Sequence, residues 1–402
     1  MYAQKKKKNF RTFVIVVLAL SALNIGCGLV NRSTNSLPEG PEPEPQAATS
    51  PFAPTSAVYS YADVVKRVSP AVVTIQSERR VRAPEQFPFL DDPRFRDFFG
   101  QRFGRQAPQE PRSQIQRGLG SGVVVSADGY ILTNHHVIDG ADQIKVGMLD
   151  RQTFDARVVG SDPPSDLAVL KIDANSLPAL SLGDSDAVQV GDIVLAIGNP
   201  LGLEQTVTAG IISARGRSTG VSDGSFEDFL QTDAPINSGN SGGALVNAAG
   251  EFIGINSQIL SSTGGNIGIG FAIPSNMAKN VMRQLIDSGT VRRGQLGVIV
   301  QPVTSDIARN LGLSPIRGVL VNEVQPDSPA AEAGVNRGDV IVAFNGEPIE
   351  EGNELRNRVA ATPPGTDVTL TVFRDGSEQQ LRAKLGELNA KGARNPDSGV
   401  GP

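Results

Sequence analysis

The chain has 402 residues, room for two or three domains, and its 44 glycines and 27 prolines favour short strands and many turns over long helices. One cysteine, Cys27, excludes an intrachain disulfide and a cysteine zinc site, while two adjacent histidines, His135 and His136, exclude zincin, c-type haem and di-iron patterns. No lysine follows a Gly-x-x-x-x-Gly, so no P-loop is present, and neither a cofactor nor a metal is expected. The formal net charge is −5, and the rest of the chain is more acidic still once the basic start is set aside, which argues against a nucleic-acid partner.

In chain order, Lys5 to Lys8 and Arg11 run into the apolar stretch 13–23, which reads as an export signal. Residues 13–30 are just long enough to span a bilayer, although Asn24 weakens the span. Three fates stay open for residues 1–30: an anchor in the inner membrane, a lipoprotein site at Cys27, where Asn24 replaces the usual aliphatic residue, and a cleaved signal. The lysines keep the N-terminus cytoplasmic and so put the rest in the periplasm or cell envelope. Residues 31–57, with Pro and Glu alternating from Pro41 to Pro45, form an extended tether that cannot bury a core.

From residue 58 the pattern changes to short β runs split by Gly, Asp and Pro, at 71–75, 123–125, 130–132, 144–146, 167–172, 193–197, 210–212, 251–255 and 271–273. Strands so spaced predict a mainly β domain over 58–290, built as barrels or a sandwich. Between Arg82 and Arg117 it is interrupted by an aromatic insertion holding Phe95, Phe98, Phe99 and Phe103, which reads as an assembly or regulatory loop. Pro274-Ser275 starts a closing helix, with Ala278, Val281, Met282, Leu285 and Ile286 on one face and Gly289 as its stop. A second domain follows over 291–386: strands, a capped helix over 328–333, a helix over 353–361 and a hairpin turning at Asp375-Gly376. Residues 387–402 read as a disordered tail.

The chemistry centres on Gly239-Asn240-Ser241-Gly242-Gly243. A serine hydroxyl needs a base to remove its proton, and the tetrahedral oxyanion it creates needs preorganised N–H donors. Gly239 permits a turn aiming its own N–H and that of Ser241 at one point, so Gly239, Asn240 and Ser241 form the candidate oxyanion hole. Upstream lie Thr133-Asn134-His135-His136-Val137 and Asp162-Pro163-Pro164-Ser165-Asp166-Leu167, and the order His, Asp, Ser is that of the chymotrypsin-type triad.

With Ala196-Ile197-Gly198-Asn199-Pro200 and the segment 268–274, these motifs resemble the HtrA/Deg family of trypsin-like serine proteases over roughly residues 60–385. The resemblance implies a chymotrypsin-like double β-barrel, with His136 as general base, Asp166 as its orienting carboxylate and Ser241 as nucleophile. His135 is expected to have no catalytic role, and Asp162 to be a turn acid. Asn240 stands where digestive relatives carry an aspartate that locks the oxyanion loop, so something else must order that loop. Pro235 stands where a basic-specific enzyme has an acid, and Ile236, Ile259 and Leu260 suggest an aliphatic substrate pocket.

The C-terminal unit resembles a PDZ domain, a partly open β-barrel with two short helices. Arg293 to Val298 stands at its carboxylate-binding loop, so Gln295, Leu296, Gly297 and Val298 are the expected contacts for a peptide C-terminus. Family resemblance further implies a serine endopeptidase acting on unfolded or misfolded proteins, regulated by its PDZ domain and assembled as a homotrimer or a multiple of trimers. Two other readings compete: a peptide-binding chaperone or adaptor with a non-essential protease fold, and an esterase using the same three residues.

Overall fold

The computed structural model describes residues 60–81, 114–199, 205–219, 225–237, 239–260 and 265–388. The export segment, the tether, most of the aromatic insertion and residues 389–402 of the expected 387–402 tail lie outside the described residues; the first two tail residues are ordered instead, Glu387 pairing with Gly294 and Leu388 N donating to Arg293 O. Among those described, no helix is long and apolar enough to cross a membrane.

A short helix α1 (Ala62–Val68) precedes a closed six-stranded barrel made of β1 (Val72–Val81), β2 (Gln114–Val124), β3 (Tyr130–Thr133), β4 (Gln143–Gly147), β5 (Thr153–Asp162) and β6 (Leu167–Ile172). A one-turn helix α2 (His135–Ile138) lies between β3 and β4. The second closed barrel comprises β7 (Ile193–Gly198), β8 (Thr206–Arg217), β9 (Phe229–Thr232), β10 (Ala244–Asn247), β11 (Phe252–Ile259) and β12 (Gly270–Pro274). Strand order around the first barrel is β1-β2-β3-β6-β5-β4, and the second repeats it as β7-β8-β9-β12-β11-β10. Closure removes both sheet edges; Ile75, Ile131, Leu132, Leu167 and Leu170 are fully buried in one core cluster, and Val194, Leu230, Leu245 and Ile253 fill a second within the other barrel.

The aromatic insertion is shorter than its sequence suggests. Residues 114–117 belong to β2, where Arg117 stands opposite Glu78 and Gln114 opposite Val81. Gln114, Gln116 and Arg117 are polar and Ile115 stands alone among them, so no apolar period marks them as strand.

Helix α3 (Ser275–Ser288) packs Ala278, Val281 and Leu285 against the first-barrel side of the core and ends at Gly289, whose N–H caps Leu285 O at 3.0 Å. Next come β13 (Gly294–Gln295), β14 (Val298–Pro302), α4 (Ser305–Leu311), β15 (Val319–Val324), α5 (Pro329–Glu332), β16 (Val340–Phe344), β17 (Glu347–Pro348), α6 (Gly352–Ala361), β18 (Asp367–Arg374), β19 (Ser377–Lys384) and β20 (Gly386–Glu387). Their main sheet runs β14-β15-β16-β18-β19 around a separate core of Val321, Ile341, Leu355, Leu370 and neighbours, which leaves one edge of β14 unpaired. Asp375 and Gly376, at φ 49° and 81°, make the tight β18–β19 turn.

The two parts meet through polar groups. The Arg293 guanidinium pairs with the Asp162 carboxylate, with Nη1 to Oδ1 at 2.9 Å, and it stacks 4.5 Å from the Phe226 ring. Arg356 approaches the same ring at 4.6 Å, and the side-chain amides of Asn353 and Asn357 donate to Glu227 O at 2.7 and 2.6 Å.

Candidate active site

In the first barrel, β3 runs into α2, whose N-cap residue Asn134 is buried. The β5–β6 connection is a single 3₁₀ turn over Pro163–Ser165 that ends with Asp166 in the left-handed region, φ 54° and ψ 40°. A non-glycine residue is uncommon there, and the surroundings hold it by bonding both its ends. Asp166 O accepts from His135 N and from Asn134 Nδ2, each at 3.1 Å. Its carboxylate accepts from the His136 backbone N–H at 3.0 Å.

The His136 ring Nδ1 lies 2.8 Å from Asp166 Oδ2 and 3.0 Å from Oδ1. Ser257 Oγ, on β11 of the other barrel, donates to Asp166 Oδ2 at 3.1 Å. Burial alone would push His136 down, but attraction to Asp166 and the hydrogen bond with it win, so the imidazole stands above its usual 6.5. Burial likewise works against the Asp166 anion. Attraction to His136 and the bonds from its ring, its backbone N–H and Ser257 outweigh that and hold the carboxyl below 3.8. A carboxylate so placed fixes the Nδ1–H tautomer and leaves Nε2 as the proton acceptor.

The second barrel contributes the β9–β10 connection. Asn240 and Ser241 are 4% and 5% exposed. The Asn240 side chain braces the loop from within: Oδ1 accepts from Asn237 N at 3.0 Å and Nδ2 donates to Pro235 O at 3.3 Å. A side-chain amide thus does locally what an aspartate paired with an ammonium group does in the digestive enzymes. Gly242, at φ 82°, lies so close to the first barrel that a Cβ there would come within 2.1 Å of Ser121 O. Among the described residues no hydrogen bond joins the Ser241 hydroxyl to His136. Such bonds commonly tighten only when substrate arrives.

The other expected residues are placed as follows. Ile236 is 1% exposed within the second-barrel core, Ile259 packs against that core, and Leu260 is 49% exposed at the end of β11. Leu296 is buried in the C-terminal core, and its carbonyl accepts from Ala330 N at 2.9 Å. Gly297, at φ 83°, has no room for a Cβ, which would meet Ser328 Cβ at 2.3 Å. Neither the Leu296 nor the Gly297 N–H is taken by an acceptor among the described residues, and Val298 opens β14, the sheet strand with one free edge, three residues after Gln295 on β13. Arg293, at the head of that motif, turns away from the loop to Asp162. Among the described residues the His135 side chain pairs with Asp139 alone, at 3.7 Å.

Sequence reasoning missed Ser257 and the Asp162–Arg293 pair. Asp162 is the turn acid expected, since its carboxylate accepts from Ser165 N at 3.1 Å, but it also binds the next domain. A lone strand hydroxyl and a distant arginine carry no local sequence signal.

Comparison with known proteins agrees with this geometry. The family description "Trypsin-like peptidase domain" matches residues 120–255, and "PDZ domain" matches residues 294–385. A probable periplasmic serine protease do/HhoA-like of Haemophilus influenzae is 47% identical over 331 residues, covering 81% of this chain and 71% of its own length. The periplasmic serine endoprotease DegP of Escherichia coli is 42% identical over 391 residues, 92% of this chain and 79% of the relative. Among solved structures, the HtrA-type protease AlgW with tripeptide superposes with a TM-score of 0.65 at 44% identity, covering 82% of this chain and 98% of that one. Two barrels of one topology, a buried histidine–aspartate pair, a following PDZ domain and relatives at this identity show that the chain is a serine endopeptidase of the HtrA/Deg family.

Proposed function

We propose that the chain cleaves unfolded or misfolded proteins in the cell envelope through Ser241, His136 and Asp166. Ser241 Oγ attacks the scissile carbonyl while His136 Nε2 takes the hydroxyl proton. The oxyanion that forms is stabilised by N–H groups of the Gly239–Ser241 loop. As the C–N bond breaks, His136 returns the proton to the leaving amine, and water then hydrolyses the acyl-serine by the same steps. The observation that carries this reading is the buried Asp166–His136 pair, whose ring nitrogen lies 2.8 Å from the carboxylate and whose pKa stands above the usual value. A chaperone has no use for such a poised base, whereas an esterase would use it alike and is separated by the digest below.

Cuts should follow Val, Ala, Leu or Ile, because Pro235 supplies no acid for a basic side chain and the half-buried Ile259 and exposed Leu260 are aliphatic, whereas Ile236, expected to line the pocket, is buried in the barrel core and lines no surface. The PDZ domain should regulate the protease: a peptide C-terminus held at Gln295 to Val298 lies a few residues from Arg293, which pairs with Asp162 four positions before Asp166. Tethering to the inner membrane through residues 13–30 fits the periplasmic names of the relatives. Assembly as a trimer or a multiple of trimers fits the exposed aliphatics Val190, Ile193 and Ile211 on the second barrel.

The test is a digest of unfolded casein by residues 58–402, sequenced for cleavage sites, alongside fluorophosphonate labelling of the wild type and Ser241→Ala. Labelling lost in the variant and cuts after aliphatic residues are expected. Labelling without casein cleavage would instead favour the esterase, and cuts mainly after Lys or Arg would overturn the aliphatic pocket. A peptide with a free apolar C-terminus should raise cleavage about tenfold, a shift of about 1.4 kcal/mol between loop states, and deletion of residues 292–402 should abolish that response.

A further inference from the structure

The oxyanion loop belongs to the second barrel, yet the side chain most tightly engaged with it comes from the first. Ser121, on β2, has no exposure to solvent. Its hydroxyl donates to Gly239 O at 2.5 Å and accepts from Asn199 N at 2.8 Å. Its backbone N–H donates to Ser241 O at 2.9 Å, and its own carbonyl accepts from Thr133 Oγ1 at 2.7 Å. Because the Asn199 N–H already occupies the hydroxyl oxygen, the single Ser121 proton is directed to Gly239 O. Thr74 Oγ1 in turn donates to Asn199 O at 3.0 Å, so a chain of buried bonds runs from β1 to the loop.

These bonds fall on successive peptide planes. Gly239 O belongs to the 239–240 plane and Ser241 O to the 241–242 plane, and Ser121 holds both. The 240–241 plane between them carries the Ser241 N–H, and its carbonyl accepts from Gly243 N at 3.0 Å. With all three planes bonded, the direction of the Ser241 N–H is set before substrate binds.

We propose that Ser121 is a positioning residue for the catalytic step, anchoring the Gly239–Ser241 loop across the barrel interface so that the loop is preorganised for the oxyanion. The inference rests on the reading of Ser241 as nucleophile. Ser121 touches no substrate atom, so its removal costs preorganisation and not binding, and the loss should be smaller than the 10²–10³-fold typical of deleting an oxyanion donor itself.

Ser121→Ala keeps the backbone bond to Ser241 O and removes both hydroxyl bonds. On a short aliphatic peptide substrate, kcat should fall about 10- to 100-fold with KM within about threefold, and binding of a peptide aldehyde, a transition-state analogue, should weaken in step with kcat/KM. The acid limb of the pH profile, which belongs to His136, should not move. Ser121→Cys, which retains a weak donor, should lie between Ala and wild type, and it serves as the test if the alanine variant does not fold. A soluble, folded variant with kcat within threefold of wild type, or a loss carried by KM alone, would overturn the proposal. Ser241→Ala measured in parallel separates the two failures. If it stays active, the nucleophile reading falls; if it is inactive while Ser121→Ala is normal, only the positioning role falls.

Discussion

The connection after the third strand does different work in the two barrels, although the barrels share one strand order. In the first barrel the β3–β4 connection supplies His136, held by a charge: Asp166 bonds its ring and its backbone N–H, and the pair draws each other's pKa apart. In the second barrel the β9–β10 connection supplies Ser241 and, among the described residues, is held by neutral groups, the Asn240 amide within the loop and the Ser121 hydroxyl across from it. A buried ion pair is strong and directional but survives burial only with every lone pair satisfied, which is why Ser257 and the His136 N–H complete the Asp166 carboxylate. Neutral bonds of about 1 kcal/mol each leave a loop closer in energy to its alternatives. His136 is therefore held by the stronger, charged contacts, and the Gly239–Ser241 loop by several weaker ones.

Breaking either half chemically gives the largest effects. Ser241→Ala should lower kcat about a millionfold, because without the nucleophile the rest of the site has nothing to activate. Casein turnover above a hundredth of wild type would contradict it. Asp166→Asn should cost about 10⁴ in kcat, close to 5 kcal/mol, with KM little changed. Its pH profile carries a second signature. Asp166 raises the His136 pKa, so the wild-type acid limb of kcat/KM should lie above 6.5, with activity lost as pH falls through it. Removing the charge should move that limb to lower pH; an unmoved limb would mean that another group controls it.

The neutral half is sharpened by giving it a charge. Asn240→Asp places a carboxylate at a site 4% exposed, where Pro235 O would face it and no cation pairs with Asn240 among the described residues. A loss of about 10² in kcat at pH 8 is expected, against about tenfold for Asn240→Ala, which only drops two hydrogen bonds. If the aspartate variant works as well as wild type, the loop does not depend on neutrality, and the contrast between the halves fails.

The sequence showed some of this and hid the rest for physical reasons. Strands buried on both faces, such as β6, apolar but for Lys171, and β7, announce themselves as near-continuous apolar runs. The half-exposed β5 reads as a polar stretch, and β9 and β10, four residues each, are too short for a period to register. Helices α1 and α4 each bury a single residue, Val68 and Ala308, and so lack an apolar face. His136, Asp166 and Ser241 stood out because each sits in a turn with its own composition. Ser121 and Ser257 did not, because a hydroxyl within a strand acquires its meaning only from what the opposite barrel brings to it.

The mildest test concerns the second barrel's charged contact with the PDZ domain. Asp228, just before β9, lies half-buried with no hydrogen-bond partner among the described residues, and its carboxyl is pushed up to about 6. Burial is the main cause, followed by repulsion from Asp186 and from Glu354 on α6, while Arg215 and Arg358 oppose it less strongly. A carboxyl whose folded pKa exceeds its unfolded value of 3.8 contributes stability that is fully present below 3.8 and is lost as pH rises through about 6. Two pKa units would correspond to about 3 kcal/mol, and partial exposure reduces this to about 1–2 kcal/mol. Asp228→Asn imitates the protonated acid at every pH. It should therefore raise the thermal midpoint at pH 7.5 by a few degrees, about 2–4 °C per kcal/mol for a protein of this size, and leave it nearly unchanged at pH 4.5. Glu354→Gln, which removes one source of repulsion, should shrink that difference. An equal gain at both pH values would mean that Asn packs better there and that Asp228 titrates normally; no gain at either would mean that Arg215 and Arg358 already neutralise it.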